Sequence, residues 1–528
     1  MTINRRNFLL SAAGVSVASG LALEPSYSYA QSSRAPTLVV AASGTPEGFD
    51  GDALRANTQE VVIQIYENLT RYGRKTVNGR LQLDPTVIEG HLAESWTISP
   101  DGKTVVFKLR RGVKSPFGNE LTAADVEWSY GKSFAQKRSG LFFSRVSNIT
   151  AVKAIDKYEV EFQLSAPSGI LLNMLTIYSP AIYDTTEVKK HVTPEDPWAL
   201  KWIESNTAGF GAYHLESLRA GEQAVFVSNP NYFREKPFFT RVIYRAVPSA
   251  ANRITLLKSR QVHWIARPTI HQVKELEGDR NVKIEGAPGR SMASVRMNVG
   301  FKPFDDVRVR KAFNYAIDKE LMRKAVFLDT GEYAKSFVPP VVDGFDPSFF
   351  NYNHDPAKAK ALLAEAGYAN GLEVELLYAP ESWWEEALTI HLADQMKSVG
   401  VTVKPTKITV ADLRARAAPS KLDMPFFCFQ EGPITLDPLY TMLAFARSDS
   451  VGNRARYKNS KMDEIIDEAR YTQDAARRRQ LVSEAQKLWV DEAPWIMTIF
   501  PTTFEAMAPN IVGWVPDYHP RWSDLRFG

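Results

Sequence analysis

The sequence predicts an α/β protein with parallel strands, divided into two or three domains, and three observations carry that expectation. The chain has 528 residues, roughly three to four times a typical domain length. Its apolar share of 44% and charged share of 23%, with 30 Gly and 31 Pro spread along the chain, are those of a globular protein and exclude collagen-like, disordered and coiled-coil classes. Strand-like and helix-like patterns also alternate along it, as βαβ units require.

The elements follow in order. Thr37-Leu38-Val39-Val40-Ala41 is a short apolar strand, a turn region runs through Gly44, Pro46, Gly48 and Gly51, and Val61 to Tyr66 reads as helix. Val105, Phe107 and Leu109 alternate with Val106, Lys108 and Arg110, and Tyr158, Val160, Phe162 and Leu164 alternate with Glu159, Glu161 and Gln163, the two-residue period of half-buried strands. Between them Thr122 with Asp125 marks a helix start, since the hydroxyl takes a first-turn amide and the carboxylate favours the positive helix end.

From about residue 300 the texture is more helical. Asp306 caps a helix whose Val309, Ala312, Phe313, Ala316 and Ile317 share one face, with Arg308, Arg310, Lys311 and Lys319 expected to point away. Asp355-Pro356 opens a second helix that buries Leu362 and Leu363 and stops at Gly367. Ser382 with Glu385 reads as a capping box for a third, ending at Gly400, and Val401 to Lys404 follows as a strand. Met462 to Asp491 reads as one or two helices stopped by Pro494.

The first thirty residues read as an address. Arg5 and Arg6 precede an apolar stretch from Phe8 to Leu23, interrupted by Gly and Ser, and Ser28-Tyr29-Ala30 fits a small-x-Ala cleavage site. Asn4-Arg5-Arg6-Asn7-Phe8-Leu9-Leu10 resembles the twin-arginine consensus for bacterial export of folded proteins; the alternative is a general secretory signal with two chance arginines. No later stretch reaches eighteen consecutive apolar residues, so the product is expected to be soluble and outside the cytoplasm, in the periplasm.

The 64 basic and 60 acidic residues nearly balance, at +4, which gives no support to nucleic-acid binding. One cysteine, Cys428, cannot form an internal disulfide, an Fe–S site or a thiolate zinc site; it is assigned to packing. The eight histidines show no metal-ligand spacing, so no metal is expected. Gly209-Phe210-Gly211 lacks the third glycine of a dinucleotide loop, Ser129-Tyr130-Gly131-Lys132 lacks the partner motifs of penicillin-recognising enzymes, and Gly289-Arg290-Ser291 is no nucleophile elbow. Neither catalytic residues nor a cofactor follow.

Ligand candidates come from aromatics and one turn. Trp383 and Trp384 fall at the expected first turn of their helix, where indole faces suit side chains or sugar rings; core packing is the alternative. Phe426 to Pro433 runs from an apolar strand into a polar turn, where open α/β sheets place ligands, and this makes Gln430 and Glu431 pocket candidates against a solvated turn.

Leu92-Ala93-Glu94-Ser95-Trp96, Ser99-Pro100-Asp101-Gly102-Lys103-Thr104, Phe107 to Lys114 and Leu121 to Val126 resemble, almost position by position, the bacterial extracellular solute-binding protein family 5, the peptide, nickel and opine-type binding subunits of ABC importers. Gly209 to Tyr213, Asn229 to Phe233, Met297-Asn298, Phe304 to Ala312 and Asp355 to Ala359 extend the resemblance over almost the whole mature chain.

The resemblance implies a two-lobed periplasmic-binding-protein fold of class II type with an extra subdomain inserted in lobe one. It would divide the chain into an export signal at 1–30, lobe one at 36–71, 206–290 and 500–528, the insertion at 72–205 and lobe two at 291–499. It also implies a monomer that captures a peptide by hinge closure and delivers it to permease subunits in the inner membrane, with an opine or sugar conjugate as the alternative ligand. A secreted hydrolase or a periplasmic chaperone is the alternative of another class. Peptide binders of this family carry an Asp for the peptide ammonium in the strand-to-turn segment. Cys428 to Leu436 has none, Glu431 lies within two positions of the expected place, and Asp437-Pro438 looks like the separate family Asp-Pro step. The ligand-binding set is thus Trp383, Trp384, Gln430, Glu431 and Asp437, and no histidine site for nickel can be placed.

Overall fold

The computed structural model describes residues 36–528, apart from 54, 56, 473 and 518. The export-signal reading of residues 1–30 lies outside the described residues.

Thr37–Ala42 is central to a seven-stranded sheet, ordered Lys283–Ala287, Thr503–Met507, Trp264–Ile265, Thr37–Ala42, Arg241–Ala246, Gln223–Ser228 and Tyr213–Arg219. It runs parallel to both neighbours, and the outer pairs are antiparallel. Leu38, Val40 and Ala42 pack with Phe226, Tyr244, Trp264 and Trp522, whereas Ala41 packs with Ile254 and Leu257 of helix Ala250–Lys258. A strand covered on both faces reads as a continuous apolar run, which is what its sequence shows.

The second large sheet has six strands, ordered Glu332–Tyr333, Trp495–Phe500, Met292–Met297, Phe426–Glu431, Leu372–Tyr378 and Val401–Lys407. Leu372–Tyr378 is parallel to both its neighbours and the remaining pairs are antiparallel, so the sheet is mixed. Its covering helices start at the expected caps: Asp306 Oδ1 accepts from the Arg308 N–H at 2.8 Å, and Asp355 Oδ1 from the Lys358 N–H at 2.9 Å. Ser460–Tyr471 and Ala475–Glu492 are the two helices before Pro494.

Two sequence expectations here are corrected. Arg310 and Lys319 do not point away: both are buried. Arg310 donates to the carbonyls of Phe304 and Glu492, and Lys319 Nζ to those of Asn314 and Tyr352, each at 2.9–3.2 Å. Their long stems let them cross to carbonyls that helix and strand ends leave unpaired. The helix expected from Ser382 begins at Glu385, with Trp384 at the cap position, and Glu385 Oε2 accepts the Ala379 N–H at 2.7 Å.

Residues 93–164 contain a four-stranded antiparallel sheet covered by helix Ala123–Gln136. The two alternating runs form its inner face: Val105, Phe107, Leu109, Val160, Phe162 and Leu164 are all buried against Val126 and Tyr130. Thr122 N–H donates to Asp125 Oδ2 at 2.7 Å, as its spacing predicts. Lys132, of the Ser-x-x-Lys match, is fully buried and binds Asp50 and Asp52 at 2.7 and 3.0 Å, so it ties this helix to the first sheet's turn region.

Candidate functional site

In the second half of the chain the backbone passes between the two large sheets twice. Residues 288–291 join strand Lys283–Ala287 to Met292–Met297, and residues 501–502 join Trp495–Phe500 to Thr503–Met507. The linkers lie against each other. A Cβ on Gly289 would stand 1.9 Å from the Pro501 carbonyl oxygen, so only glycine permits this approach. Two short adjacent linkers between rigid sheets are the construction of a hinge.

Beside the linkers a cavity of about 1130 Å³ opens between the sheets. One wall carries Arg267, Thr269 and Ile270, the other Trp383, Arg414, Phe429 and Gln430, and the linkers form its back with Arg290 and Thr502. A two-stranded hairpin, Thr70–Val77 and Arg80–Gly90, adds Arg80, Leu81 and Leu83. Arg74 anchors the hairpin on Asp524 with two bonds of 2.9 and 2.8 Å. Sequence reading missed the hairpin. Its signal was Asn78-Gly79, both at positive φ (50° and 75°), a two-residue hairpin turn.

The five candidate residues separate. Trp383 lines the cavity, its ring edge-on to Phe327 at 5.7 Å and to His271 at 6.4 Å. Gln430 lines it too. Trp384 is 1% exposed and belongs to the core of the second sheet, so its expected stacking on ligand is corrected to a supporting role: its indole N–H donates to Gln430 Oε1 at 3.2 Å.

Glu431 is off the cavity wall and already paired. Arg296 Nη2 reaches Glu431 Oε2 at 3.4 Å and Arg454 Nη1 binds Glu431 Oε1. Arg296 is fully buried on the ring of Trp495, with its charged carbon 3.2 Å from the centroid, and burial pulls its guanidinium down to about 9 against the pull of Glu431. Asp437 is also turned to structural use. Its carboxylate caps helix Pro438–Thr441 through the Leu439 N–H and binds Arg478 at 2.6 Å and Asn173 Nδ2 at 2.8 Å. Both carboxylates sit among cations and amides whose burial requires a partner, and this is the physical reason that neither faces the cavity.

Further acids stand at the wall. Glu505 accepts from Trp264 Nε1 at 2.7 Å and from the Arg267 N–H at 3.0 Å, and burial raises its carboxyl to about 7. Glu385 is likewise raised to about 7 by burial. Cys428 is buried and burial pushes its thiol up, which leaves it inert at neutral pH. Among the described residues no group of three or more His, Cys, Asp or Glu side chains is arranged to hold a metal ion.

A family model, described as bacterial extracellular solute-binding proteins, family 5 Middle, matches residues 87–453. The chain belongs to the bacterial extracellular solute-binding proteins, family 5. These are binding proteins and not enzymes. Curated relatives include Heme-binding protein A of Haemophilus influenzae, 27% identical over 514 residues with 92% of this chain and 91% of the relative covered. The Dipeptide-binding protein of Escherichia coli is 27% identical over 520 residues, covering 92% of this chain and 94% of its own. Among solved structures, the periplasmic binding protein DppA of Helicobacter pylori, in complex with the peptide STSA, superimposes with a TM-score of 0.80 at 21% identity over 93% of this chain and 98% of that one. The fold is thus the two-lobed one of the family.

Proposed function

We propose that this protein is the periplasmic substrate-binding subunit of an ABC importer, which captures a peptide between its lobes by hinge closure and delivers it to permease subunits in the inner membrane. The observation that carries this reading is the cavity of about 1130 Å³ whose two walls belong to different sheets joined behind it by two short linkers. That volume exceeds the roughly 300–1,000 Å³ of most small-ligand clefts and suits an extended chain of a few residues. A ligand touching both walls stabilises the closed form by its differential contacts, and a permease then distinguishes closed from open.

In this reading lobe one comprises residues 36–71, 206–290 and 500–528, with 72–205 inserted, and lobe two comprises 291–499. The strand membership of the two large sheets supports it. Trp383 and Gln430 are the proposed ligand contacts. The protein works as a monomer and is exported by the twin-arginine route, a reading supported by Arg5 and Arg6 ahead of Phe8-Leu9.

The test is a thermal-shift and calorimetric screen of protein unfolded and refolded to remove carried-over ligand, against di- to pentapeptides. A ligand at a hundred times its dissociation constant adds about 2.7 kcal/mol, which moves the melting point visibly. Absence of any shift across the peptides would defeat the reading. Replacing Arg5 and Arg6 by lysine should hold the precursor in the cytoplasm; undiminished export would assign it to the general secretory route.

A further inference from the structure

The charges on the cavity wall are unequal. Among the described residues seven cationic side chains line it against four acidic ones. Each of the four acids is already engaged by the protein. Glu285 lies 3.1 Å from Lys283 and 3.7 Å from Arg80, Asp517 lies 3.5 Å from Arg290, Glu505 accepts from Trp264 and Arg267, and Glu385 accepts from Ala379. Glu431, beside the wall, is outnumbered by Arg296 and Arg454. Arg414 and Arg526, by contrast, both stand exposed at the wall and have no ion pair among the described residues. They approach from separate elements, helix Val410–Arg416 and the C-terminal strand Arg526–Phe527.

Resting on the reading of this cavity as the ligand site, we infer that its ligand is a net-negative solute with two or more carboxylates, an acidic peptide or a peptide-like polycarboxylate, which needs no free ammonium group for binding. Arginine forks match carboxylates with paired N–H bonds. A cleft of one dominant sign between low-dielectric walls focuses its field and draws in solutes of the opposite sign. An ammonium entering the same cleft meets no uncommitted carboxylate and has to displace an existing partner. Burial acts in the same direction, because it keeps the Glu385 and Glu505 carboxyls partly protonated at neutral pH.

Calorimetry on the refolded mature protein tests this with five probes: Ala-Ala-Ala, Glu-Ala-Glu, N-acetyl-Glu-Ala-Glu, Lys-Ala-Lys and propane-1,2,3-tricarboxylate. The expected result is that Glu-Ala-Glu binds at least about tenfold more tightly than Ala-Ala-Ala, that acetylation costs less than about threefold, and that Lys-Ala-Lys gives no heat. Arg414→Gln and Arg526→Gln, both exposed and therefore safe for folding, should each weaken Glu-Ala-Glu by about tenfold. Equal affinity for Ala-Ala-Ala and Glu-Ala-Glu, or loss of binding on acetylation, overturns the charge inference and leaves the peptide reading standing. Binding of the tricarboxylate with none of the peptides upholds the charge inference and removes the peptide. No binding by any probe overturns both.

Discussion

The indole of Trp384, buried in the core of the six-stranded sheet, donates its N–H to the side-chain oxygen of Gln430, 46 positions further along, at 3.2 Å. The bond fixes the side-chain oxygen of Gln430, a residue that lines the cavity. Adjacent tryptophans therefore do different work, Trp383 at the wall and Trp384 behind it. Trp383→Ala should lower ligand affinity with little change in melting temperature. Trp384→Ala should cost about 3–5 kcal/mol of stability, and Trp384→Phe should keep most of that stability while weakening the ligand through the released amide. Paired thermal and calorimetric titrations separate the three. Equal stability losses for Trp383→Ala and Trp384→Ala would refute the division.

Glu431 is the counter-charge of a buried guanidinium. Glu431→Gln leaves Arg296 without a compensating charge, and such a deletion costs about 3–5 kcal/mol. Denaturant unfolding should show the loss in the ligand-free protein. A variant as stable as the parent but deficient in binding would instead make Glu431 a ligand contact.

At the hinge, Gly289→Ala puts a methyl group where the Pro501 carbonyl oxygen stands 1.9 Å away. The linkers must separate, so the balance between open and closed forms shifts. Small-angle scattering with and without ligand should show a smaller compaction on binding than in the parent, and an identical change would mean that the linkers do not define the hinge.

Stability should fall on both sides of about pH 4.5 for different reasons. Burial works against the Glu67 carboxylate, but Arg521 at 2.9 Å and His91 at 2.7 Å, with the Tyr232 hydroxyl at 2.7 Å, outweigh it and hold the group at about 2. A carboxyl depressed from 4.5 contributes stability that is present above its unfolded value and lost as pH falls from about 4.5 toward 2, on the order of 3 kcal/mol. His91, whose own value burial lowers, resists protonation in the fold and adds to the acid loss. Glu67→Gln should flatten the melting curve over that acid window.

Glu505 has the opposite sign. Burial raises it from 4.5 to about 7, so the folded state prefers its proton, and stability declines as pH rises from about 4.5 through 7. Glu505→Gln keeps an acceptor for Trp264 and Arg267 and should raise the melting temperature at pH 8 but not at pH 4.5. Equal effects at both pH values would mean that Glu505 is not held protonated.

Much of this molecule is legible in one dimension. The caps at Asp306 and Asp355, the inward alternation of Val105, Phe107 and Leu109, and the helix pair before Pro494 rest on interactions within a few residues or on a local period, and tertiary packing leaves these unchanged. The end of strand Phe426–Glu431 follows from a local apolar run in the same way, and of the two residues there Gln430 lines the cavity and Glu431 does not. The charged residues were not legible in this way. Arg310 and Arg296 are buried against carbonyls and aromatic rings from distant segments, and Asp437 meets Arg478 and Asn173, 41 and 264 positions away.

The sequence by itself determined the α/β class, several helix starts and the family, because these depend on periodicity, caps and motif order along the chain. Which side chains face the ligand was decided only when two sheets, two linkers and a hairpin came together. A carboxylate or indole can pack, pair or point into a cavity at the same position in sequence, and the choice is made by the partners that folding brings within about 3 Å.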